Sequence, residues 1–208
     1  MTVISRLYDN YSDAARAVSE LERAGVPHDD ISLVANNAEG WYREDGDGSR
    51  RVDRDRDGVD DRAEGAATGA GIGAVLGGTA GLLAGLGLLA IPGIGPVVAA
   101  GWLASTALVA AVGGTAGGLI GALTQAGVSE GDANVYAEGV RRGGTLVTAR
   151  VPDADRTRYE AILDRSAVNI RERANLYQQG GWSRFDPNAP VYTEEQIRRE
   201  RELYGRRV

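Results

Sequence analysis

Asp53-Arg54-Asp55-Arg56-Asp57-Gly58-Val59-Asp60-Asp61-Arg62-Ala63-Glu64 is the stretch of this 208-residue chain whose residue types and spacing best match known coordination chemistry. Numbered from Asp53, carboxylates stand at positions 1, 3, 5, 9 and 12, with Gly58 at 6 and the Val59 carbonyl at 7, the donor pattern of a twelve-residue EF-hand calcium loop. Asp53, Asp55, Asp57, Val59, Asp61 and Glu64 are therefore the candidate calcium ligands, Glu64 being the bidentate one. Other features pull the opposite way. Position 8, which should be apolar, is Asp60, no entering helix precedes the loop, and three arginines compete for the carboxylates. An acidic tether with Arg-Asp repeats uses the same residues without a metal. Both readings stay open, and calcium is the only cofactor in view.

Other chemistries are short of side chains. The chain has no Cys and one His, and all 23 of its basic residues are Arg. Schiff-base lysines, phosphate-loop lysines, cysteine nucleophiles and Cys/His zinc sites are thereby excluded. His28 follows Val26-Pro27 and reads as a turn residue, with no partner at a diagnostic catalytic spacing. Gly69, Gly71 and Gly73 lack the third-glycine spacing of a dinucleotide fingerprint. No catalytic residue is assigned, and the expectation is a protein that is not an enzyme. A net charge of -6 disfavours nucleic acid as a partner. The first residues carry no basic segment followed by an apolar run, and with the absence of Cys this suggests a bacterial intracellular protein.

Charge divides the chain sharply. Residues 1 to 64 hold 16 acidic and 9 basic residues, residues 65 to 129 hold none, and residues 130 to 208 hold 13 and 14. The flanks read as one α+β domain. Val3, Ile4 and Leu7 suggest a strand, and Ser12 can cap a helix in which Ala14, Ala17, Val18 and Leu21 share a face before Gly25 ends it. A strand at Ile31 to Ala35 follows. Beyond the uncharged block, Ser129 caps a helix with the apolar face Ala133, Tyr136, Ala137 and Val140, stopped at Gly143-Gly144. Next come a strand at Thr145 to Val151, a helix with Tyr159, Ile162 and Leu163, and a last strand near Val168 to Ile170. This order predicts a ferredoxin-like split β-α-β domain interrupted by a long insertion.

Within the insertion Gly65, Gly69, Gly73, Gly77, Gly81 and Gly85 recur every four residues, and Gly113, Gly117 and Gly121 repeat the spacing. On helices these glycines form grooves, and interior glycines are unfavourable unless another backbone packs into them. Ile91-Pro92-Gly93-Ile94-Gly95-Pro96 must break any helix between the two runs. The block therefore predicts a Gly/Ala-rich helical hairpin with long arms. The groove's partner is the other arm of the hairpin, a second copy of the chain, or both, and a bilayer or a soluble oligomer satisfies it. Arg54, Arg56 and Arg62 before it and Arg141 and Arg142 after it suit a hairpin in the cytoplasmic membrane with both termini in the cytoplasm. The alternative is a cytoplasmic homo-oligomer, a shell or filament with the hairpins buried between subunits.

The expected organisation is 1-36 as the first half of the α+β domain, 37-64 as an acidic linker with the calcium-like loop, 65-127 as the glycine-zipper hairpin, 128-174 as the second half, and 175-208 as an aromatic and proline linker with a charged tail helix. Thr193 and Gln196 form a capping box for that helix. Trp182, Phe185, Tyr192, Ile197 and Tyr204 are candidate anchors, predicted to dock on a neighbouring subunit or another protein.

The stretches VISRLYDNYSDAARAVSELERAGVPHDDISLVAN, LAIPGIGPVVAAGW and GVSEGDANVYAEGVRRGGTLVTARV together resemble bacterial general stress proteins. The likeness is to the general stress protein 17M-like, or heat-induced stress protein, domain family in its glycine-zipper form. It covers roughly residues 2 to 172, and YAEGVRRGGTLVTARV is its most specific part. The resemblance implies a stress-linked, non-enzymatic protein that is membrane-associated or self-assembling, and it carries over no catalytic residue.

Overall fold

A computed structural model describes residues 1–44, 50–53, 87–104 and 118–205. The chain runs β1 (Thr2–Tyr8), α1 (Tyr11–Arg23), β2 (Ile31–Asn36), β3 (Tyr42–Glu44), β4 (Arg50–Val52), β5 (Gly87–Ile91), β6 (Gly95–Gly101), α2 (Gly118–Gln125), α3 (Glu130–Arg141), β7 (Thr145–Val151), α4 (Arg156–Leu163), α5 (Ile170–Gln179) and α6 (Glu194–Gly205). The architecture is α+β, built on a five-stranded antiparallel sheet in the order β1-β7-β2-β6-β5, beside a two-stranded β3-β4 hairpin.

Strand alternation assigns the two faces of the sheet. Ile31, Leu33 and Ala35 of β2 point with Val147, Ala149 and Val151 of β7 toward α1 and α4. Val34, Leu146, Val97 and Ala99 point to the other side, against α2 and α3. Period-two burial of this kind fixes register, because a slip of one residue would exchange the faces. In register, Ser5 lies opposite Thr148, and their hydroxyls meet at 3.3 Å. Tyr136 of α3 crosses to this line and donates its hydroxyl to the Ser5 carbonyl at 2.7 Å.

The helix termini follow capping chemistry. Asn10, not Ser12, caps α1: its side chain accepts from Asp13 N–H at 2.8 Å, while Ser12 donates its hydroxyl to Asn10. Ser129 caps α3 by accepting from Asp132 N–H at 3.1 Å. The strand expected near Val168 to Ile170 does not form. Val168 N–H donates once to Leu7 of β1, and then Asn169 accepts from Arg171 and Glu172 N–H and starts α5. A good capping residue between two β-branched ones decides for helix.

The larger departure lies in the uncharged block. Residues expected in helical arms form strands β5 and β6, so over 87–101 the helical hairpin is replaced by a β-hairpin in the domain's own sheet. Pro92 and Gly93 are the reason. Ile94 N–H bonds back to Ile91 O at 3.0 Å around a turn with Gly93 at φ +74, the proline-glycine geometry of a type II turn. β6 then pairs with β2 from Ser32↔Gly101 to Asn36↔Val97.

Candidate functional site

The residues that bound the uncharged arms define the first region of interest. β5 is antiparallel to β6 with Gly87 opposite Ala99, so the chain enters β5 at the end of the sheet where it leaves β6. At that end Gly101 has φ +82, and an added Cβ would run into the Ile31 carbonyl. Only glycine lets β6 press this closely on β2. Leu103 N–H donates to Ser32 Oγ at 2.8 Å, which holds the first turn after the strand.

A cavity of about 580 Å³ opens at this rim, lined by His28, Gly87, Gly101, Trp102, Ala104 and Arg150 among others. Its charged groups are engaged. Arg150 Nε lies 3.1 Å from Asp30 Oδ1, its NH2 donates to the Asp29 carbonyl at 3.1 Å, and its guanidinium stands 4.8 Å from the Trp102 ring centre. His28, in a single 3-10 turn, keeps Nδ1 3.4 Å from Glu22 Oε1. A neutralised cation, a stacked indole and walls of Gly and Ala backbone suit the seating of polypeptide better than they suit activation of a nucleophile.

The second region joins α3 to the tail. Glu138 is fully buried, and its carboxylate accepts from Arg142 Nε at 2.7 Å and Arg141 NH1 at 3.3 Å. Arg142 also reaches Glu200 of α6 at 2.9 Å. Burial opposes the charge on Arg142, but the hydrogen bonds and charges of Glu138 and Glu200 outweigh it and hold the guanidinium above its ordinary range. Arg142 further covers the Tyr177 ring at 4.4 Å, and burial pushes the Tyr177 phenol up to about 12. This is a structural ion cluster: each of its charges faces an opposite one.

Arg141 and Arg142 therefore close α3 and bind the tail. Of the candidate calcium ligands, Asp53 alone is described, its N–H donating to the Trp41 carbonyl at 2.9 Å. Asp55, Asp57, Val59, Asp61 and Glu64 lie outside the described residues. So do Gly65, Gly69, Gly73, Gly77, Gly81, Gly85, Gly113 and Gly117. Gly121 sits in α2, where an added Cβ would meet nothing within 4 Å. Among the described residues no group of three potential ligands gathers, and no helix is long and apolar enough to cross a membrane.

Four of the five expected tail anchors pack on this same chain. Phe185 joins the core beneath α3, Ile197 is fully buried, Tyr192 lies 4.7 Å from the Arg141 guanidinium, and Trp182 meets Tyr177 edge-on at 5.7 Å. The side chain of Tyr204 lies outside the described set. Sequence reasoning missed Glu138, Gly101 and Asn36, whose side-chain amide donates to the Val140 carbonyl at 3.0 Å and ties β2 to the end of α3. Glu138 had a visible signal: a carboxylate three and four residues before Arg141 and Arg142. Comparison with protein-family models, curated proteins and solved structures finds no match to the chain.

Proposed function

We propose that the chain is a non-enzymatic interaction protein in which an α+β domain presents the uncharged Gly/Ala segments for self-association into a homo-oligomer. The observation that carries this reading is the rooting of β5 and β6. The uncharged block is hydrogen-bonded into the sheet, and Gly87 and Ala104, which bound its two undescribed arms, line one cavity. A glycine-rich segment held at both roots by a folded domain is a packing surface displayed in a defined place. The parallel pair β1 and β2 on either side of β7 supports a ferredoxin-like core whose fourth position is left empty.

Association with the cytoplasmic membrane is the second reading. It rests on the four-residue glycine spacing from Gly65 to Gly85, and it has less apolar sequence to draw on because 87–101 is committed to the sheet. The link to stress rests on the resemblance of the quoted stretches, and induction of the transcript by heat tests it. For assembly the test is Gly73, Gly77 and Gly81 changed together to Leu. Sedimentation should show loss of the oligomer while far-ultraviolet circular dichroism keeps its helical signal, and an unchanged particle would remove the groove as an interface. Detergent-free fractionation separates the two readings, since a monodisperse particle in the high-speed supernatant belongs to the first.

A further inference from the structure

We propose that the C-terminal segment from Trp182 to Gly205 is a releasable latch whose footprint is the β5–β6 turn, so that its docking fixes the hairpin from which the uncharged arms depart. The latch is argued from the described contacts alone, and only its effect on assembly rests on the self-association reading.

The segment leaves the end of α5, where Gly181 N–H donates to Gln178 O at 2.9 Å and Trp182 N–H to Tyr177 O at 3.0 Å. α5 ends at Gln179, and Gly181 takes φ +85 in open space, with nothing within 4 Å of an added Cβ. Past it, Phe185 donates its N–H to Asn134 Oδ1 at 3.2 Å and is buried in the same core cluster as Ile91 and Ile94. The backbone then passes directly over the hairpin turn. A Cβ at Gly93 would stand 2.7 Å from both Asp186 O and Pro187 Cα, and one at Gly95 would stand 3.3 Å from the Val191 side chain. The tail backbone fits over the turn only because Gly93 lacks a side chain, and at Gly95 a side chain would crowd Val191. Arg141 NH2 next holds the Pro190 carbonyl at 2.8 Å, and α6 seats Ile197 over Gly143 while Glu200 pairs with Arg142 and Arg201 with Glu39.

The strength of these contacts is uneven. Among the described side chains of α6, Ile197 is the one that is buried, and Glu194, Glu195, Gln196, Arg198 and Arg199 face solvent. A helix of twelve residues is marginal on its own in water and is held here by one apolar anchor and ion pairs. The sheet beneath is held by continuous ladders and two apolar cores. Segments with few buried apolar contacts open at a fraction of the global unfolding free energy. Opening would release the turn at Gly93 and Gly95.

Native-state hydrogen exchange on the full chain tests this in two steps. In the unmodified protein the Ile197 amide, bonded to Thr193 O, should exchange at least about 100-fold faster than Val147 in the central ladder. Equal rates would make the tail part of the global unit and overturn the latch. In Phe185→Ala/Ile197→Asp, the Ile94 amide and the β5–β6 ladder should exchange at least about tenfold faster while the β1–β7 ladder changes less than about twofold. Ile197→Val should behave as the unmodified chain. An unchanged hairpin, or a rise shared by every strand, refutes the coupling. Sedimentation of the same variant reads assembly separately: altered assembly with the expected exchange pattern supports both proposals, whereas unchanged assembly with that pattern keeps the latch and removes its effect on association.

Discussion

Replacing Glu138 by Gln probes the ion cluster that joins α3 to the tail. The carboxylate is fully buried and takes two charge-assisted hydrogen bonds, from Arg142 at 2.7 Å and Arg141 at 3.3 Å. Gln keeps one acceptor oxygen and turns an NH2 toward the other guanidinium, so one bond to a charged group, worth about 1.5–3 kcal/mol, is lost, on the order of 2–3 kcal/mol. Arg142 retains Glu200 at 2.9 Å, which places the effect toward the lower end. Glu138→Leu leaves Arg142 with Glu200 and Arg141 with the Pro190 carbonyl as acceptors, and should lose about 3–5 kcal/mol, the range for breaking a buried pair from one side. At about 2–4 °C per kcal/mol for a chain of this size, Gln should lower Tm by roughly 4–12 °C and Leu by more. Urea unfolding at constant m measures both, and a Glu138→Gln/Arg142→Gln cycle isolates the coupling, expected at about 1–3 kcal/mol. A loss below about 0.5 kcal/mol for Gln, or Leu no worse than Gln, would refute the reasoning.

Gly101→Ala forces a side chain into a left-handed backbone position against the Ile31 carbonyl and should cost at least about 2 kcal/mol, read by urea unfolding, with amides of the β2–β6 ladder exchanging first. Tyr136→Phe removes the bond to Ser5 O and should cost about 1–2 kcal/mol in the same assay. Burial raises the phenols of Tyr8, Tyr136 and Tyr177, the last two to about 12, so the stability they contribute is complete below the unfolded value near 10 and is lost as pH rises from there through about 12. The expected slope is about 1.4 kcal/mol per pH unit for each phenol, checked by phenolate absorbance alongside unfolding. Joining residue 36 to residue 128 through a short linker deletes Ile91, Ile94, Val97 and Ala99 from the second core and strips β2 of a partner, so poor amide dispersion is expected where a discrete insertion would leave a well-folded domain.

How legible the fold was depended on whether local chemistry and tertiary packing agreed. Ala133, Tyr136, Ala137 and Val140 recur at helical spacing between Ser129 and Gly143, and α3 lies there with that face buried. Thr145 to Val151 reads as a strand and is one. The uncharged block was ambiguous because an all-apolar segment has no polar alternation to betray a strand, even in β5, where Leu88 and Ala90 are exposed between less exposed neighbours. Four-residue glycine spacing suggested helix up to Gly85 and again from Gly113, with Ile91 to Pro96 as the break between two arms, while the better reading of that break was a hairpin turn, Pro92-Gly93 between β-branched Ile91 and the pair Val97-Val98. The tail anchors were visible as residue types, but their receptor was not. Gly93, Gly95 and Gly143 receive the tail by lacking side chains, and vacancy at a distant position leaves no mark in the sequence near Phe185 or Ile197.

The shared exit of the two arms has a mechanical consequence. Tension applied through the arms acts on Gly87 and on the chain after Gly101 at one end of an antiparallel pair, so the load falls on the Gly87↔Ala99 rung first and then on each rung in turn. Bonds loaded one after another yield at low force, as in unzipping, whereas bonds loaded in shear must fail together. β5 has one neighbour and β6 has two, so β5 peels toward the turn at Pro92 while β6 stays on β2. An assembly that pulls on its subunits would thus lengthen the arm entering β5 by a strand before it disturbs the domain, and the hairpin would act as a mechanical fuse.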